Sequence, residues 1–301
     1  MKRTLTLLLL MCSLWATPIL AQTVASSRPE PALAFAAGTI RIEFYAQNIP
    51  QGRSGLVRVS GVDVSHVTGE VFLNPISFFT VPGDAGFYAF VVPQLDQSAR
   101  AYEMALQVTQ GNTLYPITVP VNVSNGRFLR QDVTLRDDQL DLLDPQVEGE
   151  ELALIESMTA ANTPLRYWAR TKFALPTRAP ATSPFGLVRV FNSTFETRHT
   201  GWDFQGDLGD ALLAMADGRV IYTGELAIRG NYLLLDHGYG IYTGYAHLGA
   251  FNVRQGQFVR QGQVIGLAGN TGRSTSPHLH IEMRVNGHWV DPLDFLALWL
   301  P

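Results

Sequence analysis

Short segments rich in β-branched and aromatic residues recur from residue 39 to residue 135, and most are bounded by glycine, proline, asparagine or aspartate. In the first of them, Ile40–Phe44, apolar and charged residues alternate, as they do in a strand with one buried face. Similar segments follow at 56–59, 69–73, 87–92, 102–108 and 117–123. Strands of this length and spacing predict an antiparallel β-sandwich of immunoglobulin-like type over residues 39–135. The sequence therefore predicts a mainly β protein.

A single helix is predicted in the next segment, a linker of residues 136–183. The helix begins at Asp144–Pro145, and the glutamates of 148–151 place negative charge in its first turns. Apolar side chains between 152 and 158 give it one apolar face, and the Asn-Thr-Pro sequence at 162–164 ends or kinks it. The helix therefore separates two strand-rich halves.

The second half, residues 184–296, again has the pattern of strands, now with many glycines. Residues 236–240 lie between two strand segments and predict a hairpin turn. The sequence Val-Arg-Gln-Gly-Gln occurs at 253–257 and again at 259–263. We interpret the two copies as similar strand-and-turn units in a curved antiparallel sheet, since two copies do not make a repeat protein.

Three segments of this half carry the side-chain types that suit a zinc ion. His278 and His280 are two residues apart, so on a strand they lie on the same face. His199 and Asp203 lie on a second segment and His247 on a third. Imidazole and carboxylate suit zinc, and a catalytic zinc site has three protein ligands and one open position. The pattern therefore indicates a metal site built from distant segments.

Residues 1–21 have the pattern of a secretory signal: two basic residues, an apolar run over 5–16 and a small residue at Ala21. The run is short for a membrane span of about 20 residues, so we expect cleavage rather than a retained anchor, and no integral span afterwards. Cys12 is the only cysteine and lies in this segment, so no disulfide is expected in the mature chain. The net charge of −4 gives no indication of nucleic-acid binding.

Taken together, five segments of the second half resemble the lysostaphin-like (LytM-type) zinc endopeptidases, which cleave peptide crosslinks in bacterial peptidoglycan. The resemblance covers about residues 184–296. The matching segments are Arg-His-Thr-Gly-Trp-Asp-Phe at 198–204, Tyr-Ala-His-Leu at 245–248, Gly-Asn-Thr-Gly-Arg-Ser-Thr at 269–275, Pro-His-Leu-His-Ile-Glu at 277–282 and Val-Asp-Pro-Leu at 290–293.

The resemblance implies that His199, Asp203 and His280 bind one zinc ion per chain. It further implies that His247 and His278 handle the proton and the developing charge. The same resemblance implies that the protein is an exported enzyme of the periplasm or cell envelope and that it acts on peptidoglycan peptides. The chain has no His-Glu-x-x-His sequence, so the acid–base work is assigned to histidine.

Two alternatives belong to other functional classes. One is a non-catalytic module of the same fold that binds the wall or activates an amidase. Such proteins usually lack some of the five residues, whereas here every position is filled. The other is a biotinyl or lipoyl carrier domain, which needs a lysine on a hairpin. The only lysines are Lys2 and Lys172, both outside the candidate domain, which excludes the carrier.

The remaining polar residues of interest receive lesser roles. We assign His66, His237 and His288 to surface or turn positions. Glu282 shares the predicted face of His280 and could orient it. Asn192 is a conceivable fourth metal donor, although a solvated turn residue is the favoured interpretation. We also expect the sandwich or the linker to narrow the substrate groove. The sequence does not identify a regulatory protein partner.

Overall fold

The computed structural model describes residues 28–134, 141–168, 172–193 and 195–301. The predicted signal at 1–21 lies outside the described residues. Within the described ranges, no helix combines the length and the apolar character needed to span a bilayer.

The first ten strands form two five-stranded sheets, with the orders β1-β2-β4-β8-β7 and β3-β10-β9-β5-β6. The strands are β1 (Leu33–Ala37), β2 (Ile40–Phe44), β3 (Ile49–Pro50), β4 (Gly55–Ser60), β5 (Val64–Val71), β6 (Asn74–Ile76), β7 (Phe79–Thr80), β8 (Phe87–Val91), β9 (Ala101–Gln110) and β10 (Thr113–Ser124). The alternation of β2 places Ile40 and Ile42 inside, where they share one hydrophobic cluster with Met104 and Leu106 of the other sheet. The two sheets therefore enclose a common core.

A short strand and a helix follow, β11 (Arg130–Val133) and α1 (Pro145–Thr159). Asp144 caps the helix, because its side chain accepts a hydrogen bond of 2.8 Å from the backbone N–H of Gln146. The buried residues Glu151, Ile155 and Thr159 are spaced four apart, so one face of the helix is covered from Glu151 to its C-terminal end. Glu151 is a buried carboxylate on that face, so it requires a hydrogen-bonding or charged partner.

The second half of the chain forms a ten-stranded sheet and a small three-stranded one. The elements are β12 (Ala181–Ser183), β13 (Val188–Phe191), β14 (Phe195–Arg198), β15 (Gly201–Gln205), β16 (Ala211–Leu213), β17 (Gly218–Leu226), β18 (Gly230–Gly238), β19 (Ile241–Phe251), β20 (Phe258–Val259), β21 (Val264–Ala268), β22 (His278–Val285), β23 (His288–Val290) and α2 (Pro292–Ala297). Seven strands of the large sheet have the order β12-β15-β22-β19-β18-β17-β20; of the other three, β21 pairs with β19 and β16, and β23 pairs with β22. The small sheet consists of β11-β13-β14.

Strand β22 lies near the middle of the large sheet, antiparallel to β15 on one side and β19 on the other. Its Leu279, Ile281 and Met283 are at most 1% exposed and belong to the main hydrophobic core. Because strand side chains alternate, His280 and Glu282 point to the opposite face. The strand thus carries a core face and a polar face.

The repeated Val-Arg-Gln-Gly-Gln sequence forms the same turn twice, which confirms that prediction. In each copy the backbone N–H of the last glutamine donates to the arginine carbonyl, at 3.1 Å for Gln257 and 3.0 Å for Gln263. The glycine between them has a φ of 86° at Gly256 and 79° at Gly262, a conformation open to glycine in the third position of a type II turn.

The predicted hairpin turn at 236–240 is shorter in the structure, and this corrects the position of His237. Strand β18 continues to Gly238, and the turn consists of Tyr239 and Gly240, both with positive φ. His237 is a fully buried strand residue whose ring nitrogens contact the Asp217 carbonyl and the Thr243 hydroxyl. His237 is therefore a buried strand residue and not a turn residue.

The other two minor histidines also lie in strands. His66 is an exposed residue of β5, which fits a surface position. His288 was placed in an exposed turn; it is the first residue of β23 and is partly buried, while the preceding turn is formed by Asn286 and Gly287. Neither residue lines the cleft that holds the predicted site residues.

Aromatic side chains join the two halves of the molecule. The rings of Phe79 and Tyr239 stack with centroids 4.3 Å apart, and Phe90 contacts Phe295 of α2 at 5.8 Å. The two five-stranded sheets therefore pack against the β18–β19 turn and the C-terminal helix. Residues of these sheets and of the large sheet share a single core cluster.

Candidate metal centre

A cleft of about 460 Å³ opens on the polar face of the large sheet. It is lined by all five of the predicted site residues: His199, Asp203, His247, His278 and His280. These residues come from β15, β19 and β22 and from the segment between β14 and β15. The fold therefore brings together side chains that are up to 81 residues apart in the chain.

Three of these side chains direct one donor atom each to a common point. His199 Nε2 lies 3.0 Å from Asp203 Oδ1 and 3.0 Å from His280 Nδ1. The third side of the triangle, from His280 Nδ1 to Asp203 Oδ1, measures 2.8 Å. All three residues are buried, and they form the group of donors that could hold a metal ion among the described residues.

The strand register explains this convergence. Asp203 of β15 is the direct antiparallel partner of His280 of β22. Gly201 allows the two strands to approach, since a Cβ there would lie 1.9 Å from the carbonyl oxygen of Ile281. His199 is held by its other nitrogen, because Nδ1 donates to the Pro184 carbonyl at 2.8 Å and leaves Nε2 facing the cluster.

The protonation states of His199 and Asp203 suit a cation. Burial lowers the pKa of His199 to about 4, so this imidazole is neutral at pH 7. Burial alone would raise the pKa of Asp203, but His199 and His280 hold it well below its usual value. Burial also acts to lower the pKa of His280, yet hydrogen bonds with Asp203 and Glu282 raise it overall. Two imidazole nitrogens and one carboxylate oxygen are a donor set that fits Zn²⁺.

A second pair of histidines stands beside the cluster. The ring centroids of His247 and His278 are 4.9 Å apart, and those of His247 and His280 are 5.8 Å apart. His247 Nδ1 donates to the Thr271 carbonyl at 2.7 Å, and His278 Nδ1 donates to the Ser276 carbonyl at 2.8 Å. Because a carbonyl can only accept, Nε2 is the unprotonated nitrogen of each neutral ring.

Burial lowers the pKa of both His247 and His278, so each is neutral at pH 7 and can accept a proton. In His247 the nearby His278 lowers the pKa further. In His278, Asp203 acts in the opposite direction, and its Oδ1 lies 3.6 Å from His278 Nε2. The cleft thus holds a donor cluster and, next to it, two imidazoles with accessible lone pairs.

Glu282 lies behind the cluster, fully buried, with Oε2 3.4 Å from His280 Nε2. Its oxygens accept hydrogen bonds from Thr200 at 2.8 Å and from Tyr232 at 2.6 Å. Arg229 also donates to it, and Arg229 lowers the pKa of Glu282 although burial opposes this. The contact with His280 is the one that the shared strand face led us to expect.

Two arginines of this site are not identified by the sequence analysis. Arg189 of β13 donates to Asp203 Oδ2 at 2.5 Å, on the carboxylate oxygen that faces away from the cluster. Arg229, which precedes β18, reaches Glu282 from the other side. Neither arginine can be recognised from its local sequence, because its carboxylate partner lies 14 residues away for Arg189 and 53 residues away for Arg229.

Asn192 does not belong to the cluster. It lies in the turn between β13 and β14 with a φ of 47°, its backbone N–H donates to the Val133 carbonyl, and it is not among the cleft-lining residues. The favoured interpretation as a turn residue agrees with this position. One wall of the cleft comes from Arg130 and Val133 of β11 and from Glu148 of α1, and no lining residue belongs to β1–β10.

Comparison with known proteins finds a family match over part of the second half of the chain. The sequence profile of peptidase family M23 matches residues 197–292, a range that contains all five site residues. The DD-carboxypeptidase/endopeptidase Mpg of Neisseria meningitidis is 47% identical over 112 residues, which cover 37% of this chain and 26% of that protein. The murein hydrolase activator NlpD of Salmonella dublin is 36% identical over 142 residues, 46% of this chain and 34% of that protein.

The chain therefore spans only about a quarter to a third of the length of these curated relatives. A solved structure covers more of it: a Pseudomonas aeruginosa protein assigned to peptidase M23 superposes with a TM-score of 0.59 over 82% of this chain and 93% of its own. The two sequences are 24% identical, so this likeness concerns the fold alone.

Proposed function

We propose that this protein, which carries a peptidase family M23 domain, is an exported zinc endopeptidase that hydrolyses peptide bonds in the stem or crosslink peptides of peptidoglycan. The observation that carries the proposal is the triangle of His199, Asp203 and His280 donor atoms with His247 and His278 beside it in one cleft. All five positions hold side chains whose chemistry the reaction needs.

In this proposal His199 Nε2, Asp203 Oδ1 and His280 Nδ1 hold one zinc ion. Their other polar atoms are already engaged, by Pro184, Arg189 and Glu282 respectively, so the three donors are fixed in orientation. When bound in such a site, zinc polarises a carbonyl group and lowers the pKa of a water molecule to about 7.

His247 and His278 do the acid–base work. Both rings are neutral at pH 7, and both have Nδ1 occupied by a backbone carbonyl, so Nε2 is the atom that can take a proton from the attacking water. A ring that has become protonated can then donate to the developing oxyanion or to the leaving amine. Two adjacent imidazoles can thus serve both halves of a peptide hydrolysis.

The substrate class rests on the relatives. Mpg is named DD-carboxypeptidase/endopeptidase and NlpD is named murein hydrolase activator, and the two names together support a cell-wall peptide as substrate. The signal-like segment at 1–21 supports export to the periplasm or cell envelope. The division into a sandwich at 39–135, a linker at 136–183 and a peptidase domain at 184–296 belongs to the same proposal.

One relative, NlpD, is named as an activator of murein hydrolases, which keeps a non-catalytic function as the second candidate. The filled set of five residues favours catalysis, because an activator does not need two proton-accepting imidazoles beside a metal cluster. The two functions differ in a measurable way: an activator releases no products itself.

The test is digestion of purified sacculi and isolated crosslinked muropeptides by the protein and by its His247→Ala variant, with products identified by mass spectrometry. We expect peptide-bond cleavage by the wild type and none by the variant. If neither releases products and both stimulate an added amidase equally, the protein is an activator and the proposal is wrong.

A further inference from the structure

Three charged side chains form a buried chain that runs from helix α1 to the metal cluster. Arg229 donates from Nη1 to Glu151 Oε1 at 2.8 Å. On its other edge it donates from Nε to Glu282 Oε1 at 2.8 Å and from Nη2 to Glu282 Oε2 at 2.9 Å. Arg229 and Glu151 are 7% and 5% exposed, and Glu282 is fully buried. One guanidinium therefore bridges a carboxylate from the helix and a carboxylate from β22.

Glu151 fixes more than the guanidinium. Its Oε2 accepts the backbone N–H of Ile228 at 2.7 Å, and its Oε1 accepts the backbone N–H of Arg229 at 3.2 Å. The same carboxylate thus holds both the backbone and the side chain of Arg229. Because the guanidinium is planar with its donors in a rigid fork, fixing one edge also fixes the direction of the other.

The other edge of Arg229 determines where Glu282 lies. The bidentate contact fills both oxygens of Glu282, together with Tyr232 and Thr200. Oε2 of the same carboxylate is 3.4 Å from Nε2 of His280, the nitrogen opposite the one in the metal cluster. The orientation of the His280 ring is therefore coupled to Arg229, and through it to Glu151.

The helix is also held by packing, which makes the coupling rigid. Ile155, one turn after Glu151, is fully buried in a cluster with Tyr232, Leu234 and Tyr242 of the large sheet. Tyr232 belongs both to this cluster and to the hydrogen bonds of Glu282. The helix thus packs against Tyr232, the same residue that donates a hydrogen bond to Glu282.

We propose that Glu151 is a positioning residue of the metal centre, which orients His280 through Arg229 and Glu282 and makes helix α1 part of the metal-binding unit rather than a spacer. This inference rests on the proposed zinc site. Partners that orient a metal ligand from behind contribute about 10- to 100-fold to metal affinity. Since Glu151 acts through two intermediates, we expect an effect at the lower end of this range.

The experiment compares Glu151→Gln with Glu150→Gln in the full chain. Glu150 is the adjacent, exposed residue of the same helix, so the second variant makes the same chemical change without touching Arg229. Zinc affinity is measured by competition with a chromogenic chelator, and the cobalt-substituted proteins are compared by their visible absorption spectra, which report on ligand geometry. We expect Glu151→Gln to weaken zinc binding about tenfold and to change the cobalt spectrum, and Glu150→Gln to do neither.

A double variant separates positioning from general destabilisation. If Glu151 acts through Glu282, then Glu151→Gln should weaken zinc binding little further once Glu282→Gln is present. An equal effect of Glu151→Gln in both backgrounds, or wild-type affinity and spectrum in Glu151→Gln alone, overturns the inference. Should Glu151→Gln not fold, Arg229→Lys replaces it, because lysine keeps the buried charge but cannot bridge two carboxylates in a fixed geometry.

The failure of this inference is distinguishable from the failure of the proposed function. A wild-type protein that binds no zinc contradicts the proposed function itself. A wild-type protein that binds zinc, with Glu151→Gln indistinguishable from it, leaves the zinc site intact and contradicts only the role of the helix.

Discussion

The rings of His247 and His278 lie 4.9 Å apart, yet the two residues reach the cleft by different routes. His278 is on a regular strand, two residues before His280. His247 follows Ala246, the direct partner of His280, so regular alternation would turn it towards the core. A β-bulge prevents this: Ala246 and His247 together face one residue of β18, and His247 has a φ of 58°.

The first prediction concerns these two histidines. His247→Ala and His278→Ala should keep zinc at one ion per chain and lose activity on crosslinked peptides by about 100-fold or more, because a proton-transfer group is removed and no donor of the cluster is touched. Activity by product analysis and zinc by elemental analysis on the same samples check this. Loss of zinc from either variant would show that the ligands are assigned to the wrong histidines.

The second prediction concerns the donor triangle. His280→Ala removes one of the three donors and leaves Asp203 without its nearest histidine partner, so the variant should not retain zinc through a gel-filtration column. Chelator treatment of the wild type should abolish activity, and added Zn²⁺ should restore it. A His280→Ala protein that carries a full equivalent of zinc contradicts the assignment.

The alternation in β22 could be predicted from the sequence because it is a local pattern of period two. The five site residues could be named because three short segments carry them, and the structure places all five in one cleft. The bulge at His247 could not be predicted, since an irregular strand looks like a regular one until its partner is known. The Glu151–Arg229 contact spans 78 residues and has no local pattern.

The third prediction concerns Gly201. In Gly201→Ala the new Cβ would lie 1.9 Å from the Ile281 carbonyl oxygen, so β15 and β22 must separate. We expect a loss of roughly 1–3 kcal/mol in the free energy of unfolding, with weaker zinc binding because Asp203 and His280 move apart. Denaturant titration of the metal-free and zinc-loaded proteins measures both effects.

Gly149→Ala is the matched control for this variant. Gly149 lies in α1 with nothing within 4 Å of the added Cβ, so alanine should stabilise the protein by about 0.5–1 kcal/mol through helix propensity. If Gly201→Ala were as stable as the wild type, the close approach of the two strands would not depend on this glycine.

The fourth prediction is a loss of stability in acid through His237, which is remote from the donor triangle. Burial lowers its pKa to about 4, whereas in the unfolded chain it is about 6.5. The unfolded state therefore binds the proton first, and stability is lost as pH falls from 6.5 towards 4, by about 2–3 kcal/mol at pH 4.5. The metal-free free energy of unfolding at pH 7.5 and 4.5 is the measurement.

His237→Asn removes the titrating group and keeps a polar side chain near Asp217 and Thr243. This variant should be less stable than the wild type at pH 7.5. Its free energy of unfolding should fall less than that of the wild type between pH 7.5 and pH 4.5. The same fall in both proteins would assign the acid sensitivity to other groups, among them His199, whose pKa burial also lowers to about 4.

The last prediction concerns truncation. On the sequence alone, the sandwich or linker is expected to narrow the groove, so that a domain starting near Ser183 would be the more active form. The contacts of the linker lead to the opposite expectation. Such a truncation removes Glu151 from Arg229, Ile155 from its cluster, and Trp168 and Phe173 from the main core. We therefore expect the chain 183–301 to be less stable, to bind zinc at least about tenfold more weakly and to be less active.

The comparison is with a chain of residues 129–301, which lacks the sandwich but keeps β11, α1 and the rest of the linker. Both truncations uncover the aromatic surface around Tyr239 and Phe295, so a difference between them reports on the linker. The chain 129–301 should retain the zinc affinity of the full chain, because Glu151, Arg229 and Glu282 all remain. A well-folded chain 183–301 with more activity than the full chain at equal zinc loading would show that the linker, whose Glu148 lines the cleft, restricts access instead.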